Sequence, residues 1–551
     1  MKYFILLCTL ITLNCSVGQS NYKITYSKSS NGTLIEKQDP IVVFGTLNKT
    51  YISTEMTLNK KVEFPIEQTI IHGENYIQFA QLNKDKTIFT MDSLALSKQH
   101  FDLLDESKKI LGYNCKKAKT VVNSNTIELW YTNDLKIKAS PTFLGQKLGL
   151  VLEMVRNGNY SITATKVEKI KDFPSLSFDE TKESALDVMT YKDLVWKSRF
   201  ITIPVFKNET INYVKEPVAN DSVLRFANGS VIVRKIKLPT IPPGGKVFLD
   251  VKEQSNGDAY DRTGSVFIIP TDKPNSFMNG LENGISVLPI YYNGNGKQYQ
   301  GIAATETYTP LLELMRFFTP FGIKKYNTIK LKDRLWEDQA YYRQDITEVV
   351  RNLSNTEVMI GASIGNYDAG GHIVSVNLTV HSEETTESKP TTVIPLFNSC
   401  NVLEMAGQEY GTLFNTEVGL EVIFSLEKDL KNVRLRYIST GHGGWENGDE
   451  FLPKVNTILL DGEEIFHFTP WREDCGAYRL YNPASGVFTN GLSSSDYSRS
   501  NWCPGTATNP VYIDLGDLKA GSHRIQVKIP QGTPEGTSFS YWNVSGVLIG
   551  E

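Results

Sequence analysis

A mostly β chain of stacked antiparallel sheets, sandwich or jelly roll in type, is the fold class the sequence predicts, and three observations predict it. Val433, Leu435 and Tyr437 alternate with Arg434 and Arg436, and Ile525, Val527 and Ile529 alternate with Gln526 and Lys528. A period of two puts the apolar members on one sheet face and the charged members in water. Second, residues 457–460 and 465–468 flank Asp461-Gly462, and that dipeptide supplies the positive φ values a short hairpin turn needs. Third, aromatic residues at 11% and 41 glycines suit strands separated by many turns. A chain of 551 residues, at roughly 150 residues per domain, should hold three or four domains.

Taken in order, residues 1–20 have a charged start at Lys2, an apolar stretch from 4 to 13 and small residues at Ser16 and Gly18. That is the pattern of a secretory signal, too short to span a membrane comfortably. Cys15 raises a lipoprotein alternative, but Asn14 occupies the position where a small residue is wanted. The mature protein is therefore expected to be exported, secreted or periplasmic, and soluble. Residues 21–185 mix short alternating segments with one helical-looking stretch, 92–110, as in a separate β-rich α+β domain. A polar run at 175–190 reads as a linker. Residues 193–385 and 386–551 are plainly β, with Pro239, Pro242, Pro243 and Gly244-Gly245 marking a long turn and a charged, Ser/Thr-rich second linker at 381–390. No clear internal repeat is present.

Charge narrows the function. Lys and Arg number 57 against 61 Asp and Glu, a net −4, and no basic run of five occurs. Polyanion binding is built on clustered cations, so nucleic acid is excluded as the main partner. Once the leader is gone, Cys115, Cys400, Cys475 and Cys503 remain. In an oxidising compartment a pair of them suits a disulfide better than a metal site. No CxxC or HExxH spacing occurs, so no metal is expected. Two acidic clusters stand in turns before apolar strands: 256–262, ending Asp261-Arg262, and 441–450, which contains His442, Trp445, Asp449 and Glu450. Loops at the mouth of a sheet carry sites, but solvated turns or a calcium-binding loop would look the same. A third segment runs from Trp471-Arg472-Glu473-Asp474-Cys475 to Arg499-Ser500-Asn501-Trp502-Cys503-Pro504-Gly505. A fixed Arg499 can bind hydroxyls or a carboxylate with its fork of donors, and a Trp face suits a sugar ring.

Two resemblances follow from these residues. Gly112-Tyr113-Asn114-Cys115-Lys116-Lys117-Ala118, Trp130-Tyr131-Thr132 and Gly149-Leu150-Val151-Leu152-Glu153 resemble, in order and spacing, the GLPGLI family of secreted bacterial domains. From about Thr210 to Glu551 the chain resembles the peptide-N-glycosidase F family, bacterial enzymes that remove N-linked glycans from asparagine. Asp261-Arg262 matches its principal catalytic aspartate and following arginine. Asp449-Glu450-Phe451 matches the segment of its catalytic glutamate. Cys475 to Cys503, with Arg499-x-x-Trp502-Cys503-Pro504-Gly505, matches its last disulfide and the arginine before it. The extra N-terminal domain is that of the family's longer, second type. The resemblance implies two eight-stranded jelly rolls side by side with the site between them. Two further family bridges have no cysteines here. Ser363 stands about where a second family glutamate belongs, and Asp368 or His372 would be its replacement only after a shift of the loop.

The expected reaction is hydrolysis of the amide joining asparagine to the innermost N-acetylglucosamine. Asp261, kept ionised by an arginine, would activate water, and Glu450 would polarise the amide or protonate the leaving nitrogen, directly or through a water. Arg262, Arg499, Trp502 and Trp445 would bind substrate. No cofactor is required, the partners are N-glycosylated proteins and glycopeptides, no membrane is involved, and a monomer is expected. The same carboxyls would also fit an endo-acting glycoside hydrolase, and the sheets alone would fit a carbohydrate-binding or adhesion module.

Overall fold

The computed structural model of the chain describes residues 21–174, 184–220, 222–322, 330–382, 391–400, 410–444, 448–483, 489, 491, 493–533 and 540–551. The chain divides into two compact units, residues 1–200 and 201–551. Residues 1–20, where the sequence leads one to expect a leader, lie outside the described residues. No described helix is long and apolar enough to cross a membrane.

The first unit is built on one sheet of twelve strands. Its centre is Asn21–Ser30, which pairs antiparallel with Tyr160–Ile170 on one side and Ile41–Gly45 on the other. Residues 92–110 are not helical, contrary to expectation. Asp102–Ile110 is a strand paired with Tyr113–Val122 across a turn in which Leu111 and Gly112 both take positive φ. Charged residues weaken β propensity, but here they pair across the hairpin, Lys117 with Glu106 at 3.2 Å, and the ladder overrides the local preference. The expected linker at 175–190 is likewise corrected over its described part. Asp187 caps the helix Val188–Lys197 through the amides of Met189 and Thr190, and the helix buries Tyr191 and Val195.

The second unit holds two sandwiches. In the first, a four-stranded sheet (Phe200–Ile211, His372–His381, Lys246–Ser255, Ala340–Asp345) packs on a six-stranded one (Leu224–Phe226, Val231–Lys237, Glu357–Ile364, Thr263–Ile269, Leu312–Phe318, Ala507–Thr508). The second sandwich has two four-stranded sheets: Thr392–Asn398, Tyr541–Gly550, Leu430–His442 and Val511–Leu518 against Leu420–Leu426, Gly521–Lys528, Asn456–Leu460 and Glu463–Phe468. The neighbours are not sequential, which is the crossover pattern of jelly rolls. The expected hairpin is present, with Asp461 at φ 52° and Gly462 at φ 92°. The second expected linker begins inside the strand His372–His381, and 383–390 lie outside the described residues.

The halves are fused rather than tethered. Ala507–Thr508, from the second half of the sequence, extends the first sandwich by pairing with Arg316 and Phe317. Val547 and Ile549 join the first sandwich's core. Alternation places Val433, Leu435 and Tyr437 inside as predicted, but Arg436, predicted to face water, is 1% exposed. Its guanidinium donates to the carbonyls of Glu313 and Leu314 at 2.8 and 3.0 Å. The sheet's second face is covered by the neighbouring sandwich, so the outward side of this strand is not water but a seam.

Candidate active site

Asp261 sits in the turn between strands Lys246–Ser255 and Thr263–Ile269. The turn is clamped by the segment after Leu312–Phe318. The Thr319 hydroxyl donates to the Tyr260 carbonyl at 2.9 Å and accepts from the Arg262 amide at 2.8 Å, while the Thr319 amide donates to the Arg262 carbonyl at 3.0 Å. A Cβ at Gly257 would meet the Asp368 carboxyl, so any larger residue there requires that carboxyl to shift. Asp261 is thus fixed at the first sandwich's end, facing the second.

Glu450 and Arg499 come from the second sandwich. Arg499 is held by its own backbone, paired in both directions with Arg472 at 2.8 and 2.9 Å, and the Ser500 amide donates to the Glu450 carbonyl at 3.0 Å. Four residues on, Cys503 is bonded to Cys475 with Cα atoms 5.1 Å apart. Arg499 Nη1 donates to Asp261 Oδ2 at 3.0 Å and to Glu450 Oε1 at 2.5 Å. One nitrogen therefore joins two acids 189 positions apart in the sequence, reading 450 against 261. The guanidinium is 1% exposed; the two carboxyl side chains keep 16% and 19%, enough for a substrate to reach them.

The electrostatics follow from that arrangement. Burial lifts Asp261 above the usual carboxylate range, and the charge of Arg499 opposes it without cancelling it. Glu450 is raised to about 7, by burial first, then by Asp261, with Arg499 again in opposition. Two acids share one cation, so the pair takes up a proton more readily than a lone carboxylate does, and Glu450, raised to about 7, is a candidate holder. The acidic neighbour Asp449 faces away: it accepts from the Gly532 amide at 2.8 and 3.0 Å and fixes a loop.

Other expected site residues lie differently. Arg262 is beside Asp261 in sequence but pairs with Asp258, at 2.6 and 3.1 Å. The arginine at Asp261 is Arg499. Trp502 cannot offer a face to a sugar: it is 2% exposed, stacked 4.3 Å from Phe318 on one neighbour and beneath the Arg499 guanidinium at 4.3 Å, with its indole donating to the Gly441 carbonyl. It is a packing residue that supports Arg499. Trp445 lies outside the described residues. Of the candidates for a second glutamate, Ser363 is buried in the strand Glu357–Ile364 and Asp368 binds the amides of Gly370 and Gly371. His372 is fully buried between Glu253 and Asp258. None of the three brings a carboxyl to Asp261.

Reasoning from sequence overlooked the exposed aromatics. Tyr260 and Tyr367, 56% and 61% exposed, lie 4.8 and 5.8 Å from the Arg262 guanidinium, and Tyr213 leans on Tyr367 at 5.7 Å. The signal was a tyrosine next to Asp261 in a turn, where no core exists to absorb it. Among the described residues no cluster of three His, Cys, Asp or Glu side chains could hold a metal ion.

Two fused antiparallel sandwiches with an arginine bridging two carboxyls at their junction define the class: a double jelly-roll protein with a paired-carboxyl cluster where its halves meet. Three family models cover most of the chain. Residues 24–193 match one described as N-glycanase peptide, N-terminal domain; 202–380 match peptide-N-glycosidase F, N terminal; 409–549 match peptide-N-glycosidase F, C terminal. The chain is 55% identical to the protein in "Structure of PNGF-II in C2 space group", over 97% of this chain and 98% of that one, with a TM-score of 0.89. For "Structure of PNGF-II in P21 space group" the identity is 55%, the coverage 96% and 99%, and the TM-score 0.91. Among curated proteins none matches. The chain belongs to the peptide-N-glycosidase F family.

Proposed function

We propose that this protein is a peptide:N-glycosidase that hydrolyses the amide between asparagine and the innermost N-acetylglucosamine of N-linked glycans. The observation that carries it is the single Arg499 nitrogen shared by Asp261 and Glu450. Family membership supplies the substrate class, glycoproteins and glycopeptides. The disulfide and the leader-like residues 1–20 favour action outside the cytoplasm.

The chemistry follows from the protonation states. Ionised Asp261 takes a proton from water as its oxygen attacks the side-chain carbonyl carbon. The carbon–nitrogen bond then breaks, and the departing glycosylamine nitrogen receives the proton held by Glu450. The products are an aspartate side chain and a glycosylamine, so atoms and protons balance. Arg499 steadies the charge that passes between the acids, and Arg262 with Tyr260 and Tyr367 forms a rim suited to the inner sugars. Mass analysis of a treated glycopeptide tests the reading: asparagine must become aspartate. One sugar left on asparagine would identify an endo-glycosidase, and binding without release would identify a lectin.

A further inference from the structure

A line of buried ionisable groups leads from inside the first sandwich to the rim of the site, and the hydrolysis above does not use its inner part. Glu253 lies on the strand Lys246–Ser255, and His372 opens the adjacent strand with its Cα opposite Ser255. His372 Nδ1 is 2.7 Å from Glu253 Oε1, and its Nε2 is 3.4 Å from Asp258 Oδ2. Asp258 in turn receives the fork of Arg262 at 2.6 and 3.1 Å. Glu253 and His372 have no exposure and Asp258 has 2%.

The chemistry of the middle group is constrained. Ionised carboxyls only accept hydrogen bonds, so an imidazole between two of them satisfies both only when both ring nitrogens carry protons. Burial pulls the imidazolium down, but the hydrogen bonds to Asp258 and Glu253 outweigh it and raise His372 to about 9. Asp258 is held down at about 2 by His372 and Arg262 despite its burial. The remaining titratable groups nearby do not compete for His372. The Tyr342 hydroxyl, on Ala340–Asp345, donates to the Phe318 carbonyl at 2.8 Å, and Tyr481 and Glu337 line with Glu253 a cavity of about 40 Å³, room enough for a water.

We propose that His372 is a positioning residue: clamped as an imidazolium between Glu253 and Asp258, it fixes Asp258 and through it the Arg262 guanidinium at the rim beside Asp261. The role rests on the amidase reading; the clamp itself does not. Neutral His372 would set a lone pair against one carboxyl, loosen Asp258 and free Arg262 to swing.

Three measurements test this on the purified full-length protein. With a glycopeptide substrate, His372→Gln should raise KM about ten- to hundredfold, the scale of a hydrogen bond to a charged group, and change kcat much less. In the native protein KM should climb as pH rises through about 9, and that limb should vanish in H372Q. A folded H372Q variant with native KM and native pH profile overturns the role. Should H372Q fail to fold, Glu253→Gln removes one of the two partners and should move the limb to lower pH; an unmoved limb overturns it. Finally, ¹⁵N spectra of histidine-labelled protein should show both His372 nitrogens protonated at pH 7, and a neutral ring there overturns the clamp whatever the turnover. If the native protein releases no glycan, the amidase reading falls and the role with it, while the spectra still decide the clamp.

Discussion

The second unit contains two clusters of carboxyl and guanidinium groups built in opposite ratio. At the seam one acid lies beside two arginines, its carboxyl bound by Arg316 and its backbone carbonyl by Arg436. Glu313 accepts from Arg316 at 2.7 and 3.1 Å and from Ser265 at 3.0 Å, Arg316 reaches across to Thr440 and the Asn543 carbonyl, and Arg436 reaches back to the Glu313 carbonyl. At the site two acids serve one arginine. Burial works on Glu313 as on Asp261 and Glu450, yet Glu313 lies below the usual carboxylate range, chiefly through Arg316, while the site acids lie above it. Depth alone therefore does not set the state of a buried acid. The charges around it weigh as well: the cations beside Glu313 hold it below the usual range, whereas Asp261 and Glu450 stand above it with Arg499 opposing their rise.

The largest effect that could break this comparison is on turnover. Asp261→Asn should lower kcat about 10²–10⁴-fold, measured on a glycopeptide, with thermal unfolding near that of the native protein. The pH profile sharpens it. Glu450 must hold its proton, so native kcat should fall as pH rises through about 7, and it should fall on the acid side as Asp261 gains a proton. Removing the charge of Asp261 removes one of the forces that lift Glu450, so the residual alkaline limb of D261N should move to lower pH. A limb that stays in place would mean the acids do not sense each other. At the seam the same kind of change should act on folding instead. Glu313→Ala leaves Arg316 without its counter-charge and should cost about 3–5 kcal/mol in denaturant unfolding. Native stability in that variant would show that the seam is not held by this pair.

How far the sequence reveals each cluster differs for a physical reason. Alternation exposed the apolar faces of Leu430–His442, and the Asp-Gly turn and its hairpin stand where expected. The site acids were legible through the motifs around Asp261, Glu450 and Cys503. The seam was not: Arg436 alternates like a solvent-facing residue, and only the docking of a second sandwich buries it. Arg262 misled in the same way, since adjacency along a turn sends successive side chains in different directions. Its partner Asp258 lies four positions back, whereas the partner of Asp261 comes from position 499. Residues 92–110 show the converse failure, a local preference overruled by a hairpin.

A smaller effect separates the clusters by what supports them. Replacing both Cys475 and Cys503 with serine removes a cross-link spanning 28 positions and should cost about 2–4 kcal/mol of stability. Arg499 is fixed on that segment, while Glu313 and Arg316 are fixed on a core strand. The double variant, measured well below its unfolding temperature, should lose turnover through a loosened Arg499 and keep the seam. Unchanged turnover would show that the backbone pairing of Arg499 with Arg472 is sufficient without the bridge.

The smallest effect concerns the rim. Tyr260 is exposed, stacks edge-on with Phe321 at 5.7 Å and carries the Arg262 guanidinium over its ring. Trp502, the aromatic nearest Arg499, is enclosed. An aromatic contact of this sort contributes about 0.5–1.5 kcal/mol beyond area burial, so Tyr260→Ala should raise KM by about tenfold or less and leave kcat and stability nearly native. Trp502→Phe should do the opposite, lowering stability and leaving KM alone, because its ring packs on Phe318 and its indole donates to the Gly441 carbonyl. If Trp502→Phe raised KM and Tyr260→Ala did not, the sugar-facing surface would lie on the arginine's other side, and the rim assigned to Arg262 would have to be abandoned.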